Sequence, residues 1–123
     1  MYTSTSPGDL KQAQTVFEDL VSLDPTDGNG YFGLGKVADA KGLLDQATAL
    51  YLEAAARPTR DQALVRVSLG KARLAQGRSL EAVQEYKGAC DISPGFVVAW
   101  LGLGDALLTQ GDLMVSHLIL VHT

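Results

Sequence analysis

One short pattern in the 123-residue sequence could hold a cofactor if the fold placed it correctly. Residues 28–33, GNGYFG, have the glycine spacing of a dinucleotide-binding loop. Such a loop needs a β-strand before the glycines, so that the pyrophosphate meets the amino terminus of a helix. A helical pattern ending in Asp24-Pro25 precedes them instead. We therefore expect no nucleotide cofactor.

The histidines and the cysteine do not form a recognisable catalytic or metal site. His117 and His122 are the only histidines, and five helical residues would place them about 140° apart, on different faces. Cys90 is the only cysteine and lies on an apolar helical stripe, which favours a buried structural thiol over a nucleophile. No phosphate-binding loop, paired carboxylates or serine-nucleophile pattern is present. We expect a non-enzymatic chain without metal or cofactor.

Composition bounds the class of protein. The chain has 10 basic and 14 acidic residues, a net charge of −4, and 46% hydrophobic residues, which is typical of one folded domain or one array of small units. A single cysteine allows no internal disulfide, and the first residues lack the features of a signal peptide. These features favour a reducing compartment, the cytoplasm. The negative charge argues against a nucleic-acid partner.

An internal repeat organises the chain. Glycines recur at positions 8, 42, 77 and 111, with spacings of 34, 35 and 34 residues. Two further columns share this spacing: Phe17, Tyr51, Tyr86 and Leu120, and the small residues Ala13, Ala47, Ala82 and Ser116. Several columns with one common shift indicate a true repeat of about 34 residues.

Each unit has the apolar spacing of two helices separated by a glycine turn. The predicted helices are 9–23, 29–41, 44–57, 62–76, 79–92, 96–110 and 113–121. Pro25, Pro58 and Pro94 are expected to end the second helices, because proline cannot continue the hydrogen-bond ladder. Asp27 and Asp61 are predicted to cap the helices that follow them.

Two segments resemble the tetratricopeptide repeat (TPR). Residues 100–104, WLGLG, with Gly111 seven residues later, are similar to its first helix, and residues 82–94, with Ala82, Tyr86, Ala89 and Pro94, are similar to its second. The resemblance covers residues 8–123. It implies an all-α fold, a right-handed superhelical solenoid of antiparallel helix pairs. In that family the first helices line a concave groove, which usually binds a segment of another protein.

The predicted organisation leaves both ends incomplete. Residues 1–7 are predicted to be a disordered N-terminus, 8–27 a half repeat, 28–62 and 63–96 full repeats, and 97–123 an incomplete repeat. Neither end has the polar face that terminal repeats normally carry. The chain is therefore either an excerpt or altered product of a longer protein, or its ends dock on something, including a second copy.

The uncharged stretch LMVSHLILV at 113–121 is too short to span a bilayer as a helix. It is interpreted as a degraded second helix, with a partner-docking strip as the alternative.

The resemblance assigns groove-facing positions to the first helix of each unit. They are Asn29, Phe32, Lys36, Asp39, Leu64, Val67, Lys71, Leu74, Val98, Leu101, Asp105 and Leu108. This surface is mostly apolar, with Lys36 and Lys71 as positive points. It suits an amphipathic helix or apolar segment that carries an acidic residue.

Basic residues cluster between positions 57 and 78. This segment contains six lysines and arginines, and Asp61 is its only acidic residue. The cluster could attract an acidic peptide, or it could be a solvated face without function. Arg66 and Arg73 occupy columns that hold large apolar residues at Trp100 and Leu107. The extra residue near 58–62 is expected to rotate this helix, so that Val65 and Ala72 pack instead.

The leading hypothesis is a non-catalytic protein-binding module, a scaffold or adaptor with a peptide or helix as its ligand. The alternative is an assembly unit whose uncapped ends stack into homo-oligomers. Catalysis could also belong to a missing part of a larger protein or enzyme.

Overall fold

The computed structural model describes the backbone of residues 7–122 and the side chains of residues 8–114, 118 and 119. Six α-helices form this part: α1 Pro7–Leu23, α2 Gly28–Ala40, α3 Leu44–Ala55, α4 Gln62–Ala75, α5 Ser79–Ile92 and α6 Val97–His122. No β-strand occurs between residues 7 and 122. The predicted disorder of residues 1–7 lies outside the described residues, except that α1 already begins at Pro7.

The turns between α2 and α3 and between α4 and α5 follow the predicted chemistry. Gly42 and Gly77 adopt the left-handed conformation, with φ of 78° and 80°. A residue without Cβ reaches this region at no steric cost, and it reverses the chain after a helix. Before α2, the Asp27 carboxylate accepts a hydrogen bond of 2.7 Å from the Asn29 backbone N–H. The predicted cap at Asp27 is therefore confirmed.

The prolines end the second helices as predicted. Helices α1, α3 and α5 stop two or three residues before Pro25, Pro58 and Pro94. The residue before a proline is pushed out of the helical region, and proline itself has no N–H for the ladder.

The predicted break at Gly111 is wrong, because α6 continues through it as one helix of 26 residues. A turn at Gly42 or Gly77 is followed by an amphipathic helix that buries a small residue and a tyrosine against its partner: Ala47 and Tyr51, or Ala82 and Tyr86. The stretch after Asp112 has no charged residue and no polar face. If this segment folded back as a separate helix, it would have no distinct apolar face to bury against α6. The chain therefore continues as one helix.

The helices divide into two compact units, Met1–Asp61 and Gln62–Thr123. In the first unit, α2 packs on α1 and on α3, and Ala47, Tyr51 and Ala54 are buried. In the second, α5 packs on both α4 and α6. Its core contains Val67, Tyr86 and Cys90, together with alanines from α5 and α6.

Glycines let the helices approach closely where an aromatic ring lies between them. In the second unit a Cβ on Gly70 would lie 2.7 Å from Cε2 of Tyr86, and a Cβ on Gly102 would collide with Cε1 of the same ring. In the first unit Gly35 contacts Tyr51 and Gly33 contacts Phe17 in the same way. The glycine and aromatic positions that recur in the sequence therefore form one recurring contact, an aromatic ring packed on a glycine of a neighbouring helix.

This packing predicts opposite effects for two glycines of α6. Gly102→Ala should lower the free energy of unfolding by about 1–3 kcal/mol, because the new methyl group overlaps the Tyr86 ring. Gly104→Ala, two residues later, meets no atom within 4 Å and should raise it by about 0.5–1 kcal/mol through helix propensity. Urea unfolding followed by circular dichroism measures both. Equal effects of the two substitutions would contradict the packing.

Candidate functional site

In the first unit, the predicted binding surface is one face of α2. Phe32 is half-buried, and its ring packs on Tyr51 with the ring centroids 5.7 Å apart. The exposed Lys36 ammonium lies 5.3 Å from the centre of the Phe32 ring. The Asn29 Oδ1 accepts a hydrogen bond of 2.9 Å from the Arg60 backbone N–H. This face therefore presents one cation above an aromatic ring that the core holds in place.

The fourth predicted residue of this face, Asp39, accepts a hydrogen bond of 3.0 Å from the Tyr51 hydroxyl. The Tyr51 ring is buried, so the bond holds the only polar atom of that side chain at the edge of the face. Burial and the neighbouring Asp39 carboxylate both raise the pKa of the Tyr51 phenol well above 10.0. Tyr51 was not predicted as a member of the site, because packing alone explained its position in the repeat.

In the second unit, α4 contributes less surface than predicted. Val67 is 1% exposed and belongs to the core, so it cannot contact a ligand. Leu74 packs against the same core and Leu64 is half-buried. Lys71 is exposed, and within the described part of the chain it makes no ion pair.

Helix α6 exposes more apolar surface than any other part of the predicted site. Leu101 is 64% exposed, Leu108 is 68% exposed, and Val98 lies on the same face. The exposed Asp105 lies between them, close enough to Tyr86 to contribute, after burial, to a raised pKa of that phenol. The result is an apolar row along α6 that one carboxylate interrupts.

The basic segment between 57 and 78 is largely neutralised within the fold. Arg57 pairs with Glu53 at 2.7 Å, and both Arg73 and Arg78 pair with Glu81 of α5, at 3.2 Å and 3.5 Å. Surface pairs of this kind contribute little stability, but they reduce the positive potential. A general attraction for acidic peptides through this segment is therefore weaker than its sequence indicates.

The prediction that Val65 and Ala72 of α4 pack inward is confirmed, because both are buried. Arg66 nevertheless lies beside α5, where it pairs with Glu85 at 3.0 Å. Arg66 and Arg73 each pair with a glutamate of α5. They can therefore occupy positions that are apolar in the last repeat without leaving a charge unpaired.

The residues first considered for chemistry have structural roles where they are described. Gly30 and Gly33 are buried inside α2 against Val21 and Phe17, so a phosphate has no access to them. Cys90 is buried and unpaired, and burial, with a smaller effect of Asp91, raises the pKa of its thiol. A thiol with a raised pKa is a poor nucleophile at neutral pH.

The predicted absence of a metal pair at the histidines cannot be compared with geometry, because the side chains of His117 and His122 lie outside the described residues. Across the residues that are described, no three His, Cys, Asp or Glu side chains come together as ligands for an ion.

A family profile decides what this arrangement of helix pairs is. The profile described as Tetratricopeptide repeat matches residues 8–63, 45–95 and 69–113. The chain belongs to the tetratricopeptide repeat family. The predicted fold class, an all-α helical repeat of TPR type, is confirmed.

Solved structures with this TPR architecture include MamA, which is 25% identical with a TM-score of 0.75 over 85% of this chain and 60% of MamA. A thermophilic TPR protein of Thermus thermophilus is 29% identical with a TM-score of 0.72, over 82% of this chain and 51% of that one. The chain thus spans about half to three fifths of these two proteins.

The Yersinia enterocolitica type III secretion chaperone SycD, in complex with a peptide of the translocator YopD, is 22% identical with a TM-score of 0.73, over 84% of this chain and 83% of SycD. No curated protein matches the sequence. Among the described helices, none has both the length and the apolar character needed to cross a lipid bilayer.

The two tyrosines predict how stability depends on pH. Their pKa values are raised in the folded chain, so their contribution is complete below the unfolded value of 10.0 and is lost as pH rises from there toward the folded values. We expect the urea concentration at the unfolding midpoint to decrease as the pH rises above about 10. This decrease should be smaller in Tyr51→Phe than in the wild type. Tyr31→Phe, whose ring lies beneath Arg57, is the matched control. If the urea midpoint decreases with pH as steeply in Tyr51→Phe as in the wild type, this prediction is contradicted.

Proposed function

We propose that this TPR chain is a non-catalytic protein-binding module, and that its ligand is an amphipathic helix or apolar segment of another protein that carries an acidic residue. The observation that carries the proposal is the exposed row Val98, Leu101 and Leu108 on α6 of the second unit. Removing such side chains from water favours a partner with its own apolar face.

Charge gives the ligand an orientation. In the repeat register Lys71 of α4 corresponds to Asp105 of α6, and both side chains are exposed. A ligand acid near Lys71 gains a favourable interaction, whereas an acid near Asp105 is repelled. Lys36 holds the corresponding position on α2, above the Phe32 ring. The binding surface proposed for the second unit therefore contains Leu64, Lys71, Val98, Leu101, Asp105 and Leu108, and omits Val67 and Leu74, which pack in the core.

The relatives support the class of function but not the partner. SycD, which has a similar fold, was solved with a peptide of YopD, so a fold of this type can hold a peptide. A likeness of 22% identity extends only to the fold. The compartment stays a prediction: a single buried free cysteine is compatible with the cytoplasm.

A peptide selection tests the proposal. Helical peptides are selected on the full chain from a displayed library, and each selected peptide is then measured by fluorescence anisotropy. Lys71→Glu should weaken binding roughly threefold to tenfold, because an attractive charge becomes repulsive. Replacing the peptide's acidic residue by its amide should remove that sensitivity.

Lys87→Glu on α5 is the matched control, since Lys87 is exposed on a helix that contributes nothing to the proposed surface. If Lys71→Glu and the control bind every selected peptide equally well, the surface is assigned to the wrong face. If Leu101→Glu also leaves all affinities unchanged, the α6 row is not the binding site.

A further inference from the structure

A second face of α6 is not covered by any described helix, whereas the corresponding faces of α2 and α4 are covered. Gly35 lies against Tyr51, and Gly70 lies against Tyr86, each on the second helix of its own repeat. Gly104 is the corresponding residue of the last repeat, 34 positions after Gly70. A Cβ on Gly104 would meet nothing within 4 Å, because α6 runs straight on instead of folding back.

Large apolar side chains surround this uncovered glycine. Trp100, one turn before Gly104, is 52% exposed, and Leu107, one turn after it, is also exposed. The Trp100 indole N–H donates a hydrogen bond of 2.8 Å to the Pro94 carbonyl, which holds the ring in place. These residues each precede a residue of the proposed binding surface by one position, which is about 100° around the helix. The two faces of α6 are therefore distinct.

Helix α1 corresponds in the repeat register to the second helices α3 and α5. Phe17 packs on Gly33 of the following helix, but no described helix covers its other side. Ala13 and Leu20 are partly exposed, whereas the residues in the same columns of the complete repeats are fully buried: Ala47, Ala54, Ala82 and Ala89. A shallow depression on this side of α1 is lined in part by Gln12 and Val16.

The two uncovered faces are complementary in the register of the repeat. In the complete repeat 63–96, Arg66 of α4 pairs with Glu85 of α5. The corresponding residues of the open faces are Trp100 on α6 and Val16 on α1, and Val16 is 62% exposed. An apolar pair thus takes the place of an ion pair, and neither partner would bury a lone charge.

A second column shows the same match. Arg73 of α4 pairs with Glu81 of α5, and the corresponding residues of the open faces are Leu107 on α6 and Gln12 on α1. Both are uncharged. In the central column Gly104 is open and Phe17 is the aromatic residue without a glycine on one side.

We propose that α1 of one molecule packs antiparallel on α6 of a second copy, with Phe17 against Gly104, and completes the last repeat. The contact joins two different faces, so it is heterologous. It uses the side of α6 next to the peptide-binding surface and does not depend on that surface. One helix pair is at the small end of specific interfaces, so association depends on concentration.

Two substitutions test the contact in the full chain. Gly104→Glu fills the open space on α6, and Val16→Glu places a charge on the exposed face of α1; both glutamates are compatible with a helix. Size-exclusion chromatography with light scattering over about 5–500 μM, a range that brackets weak interfaces, should show concentration-dependent growth for the wild type. Each variant should stay monomeric over this range, with an unchanged circular dichroism spectrum.

Gly88→Glu and Ser22→Glu are the controls, because Gly88 has open space around it and Ser22 is exposed. Both should associate as the wild type does. A mixture of the Gly104→Glu and Val16→Glu chains retains one intact α6 and one intact α1, so it should form a 1:1 heterodimer and nothing larger.

A wild-type chain that stays monomeric at every concentration would overturn the proposal. A Val16→Glu chain that still self-associates would show that α6 pairs with α6 instead. Both variants should bind the selected peptides with wild-type affinity, because neither substitution lies on the proposed binding surface. The self-association proposal can therefore fail or hold independently of the proposed function.

Discussion

The close approach of neighbouring helices through a ring packed on glycine is the interaction on which both units depend. Tyr86 fills a space that exists only because residues 70 and 102 have no side chain. Glycine inside a helix costs about 1 kcal/mol relative to alanine, and burial of a large side chain contributes about 1.5–3 kcal/mol. The helices that contain these glycines therefore depend on packing, because each glycine lowers their own propensity for helix.

This packing determines which surfaces remain available for partners. The second helix of a complete repeat covers one face of its first helix, whereas Lys71 of α4, about 100° around the helix from the covered Gly70, is exposed. On α6 the open face carries Leu101 and Leu108, and this is the surface that we propose for the ligand. Helix α6 lacks a covering helix as well, so Trp100 and Gly104 are exposed on a second face. One helix thus exposes two apolar faces, and we propose a different partner for each.

Most of the fold could be predicted from the sequence, because its signals are local. Gly42 and Gly77 reverse the chain and Asp27 caps a helix, and each acts within a few residues. Gly111 has the same local sequence signal, but it does not form a turn. A turn there is stable only if a following helix packs back, and the uncharged segment after it has no face to pack.

The candidate site was less predictable, since its details depend on contacts distant in sequence. Arg66 stays in an apolar column because Glu85 lies 19 positions away on another helix. Asp39 is held by Tyr51, a residue that the repeat had assigned to the core. Val67 follows the groove spacing but is buried, because spacing defines a direction around a helix and not the depth of the side chain.

A double-mutant cycle between Gly102 and Tyr86 tests the central interaction most directly. Urea unfolding is measured for the wild type, Gly102→Ala, Tyr86→Leu and the double variant. If the Tyr86 ring requires a glycine at 102, the alanine is destabilising beside tyrosine and nearly neutral or stabilising beside leucine, which gives a coupling energy of about 1–3 kcal/mol. If the alanine has the same effect in both backgrounds, ring-on-glycine packing does not hold these helices together.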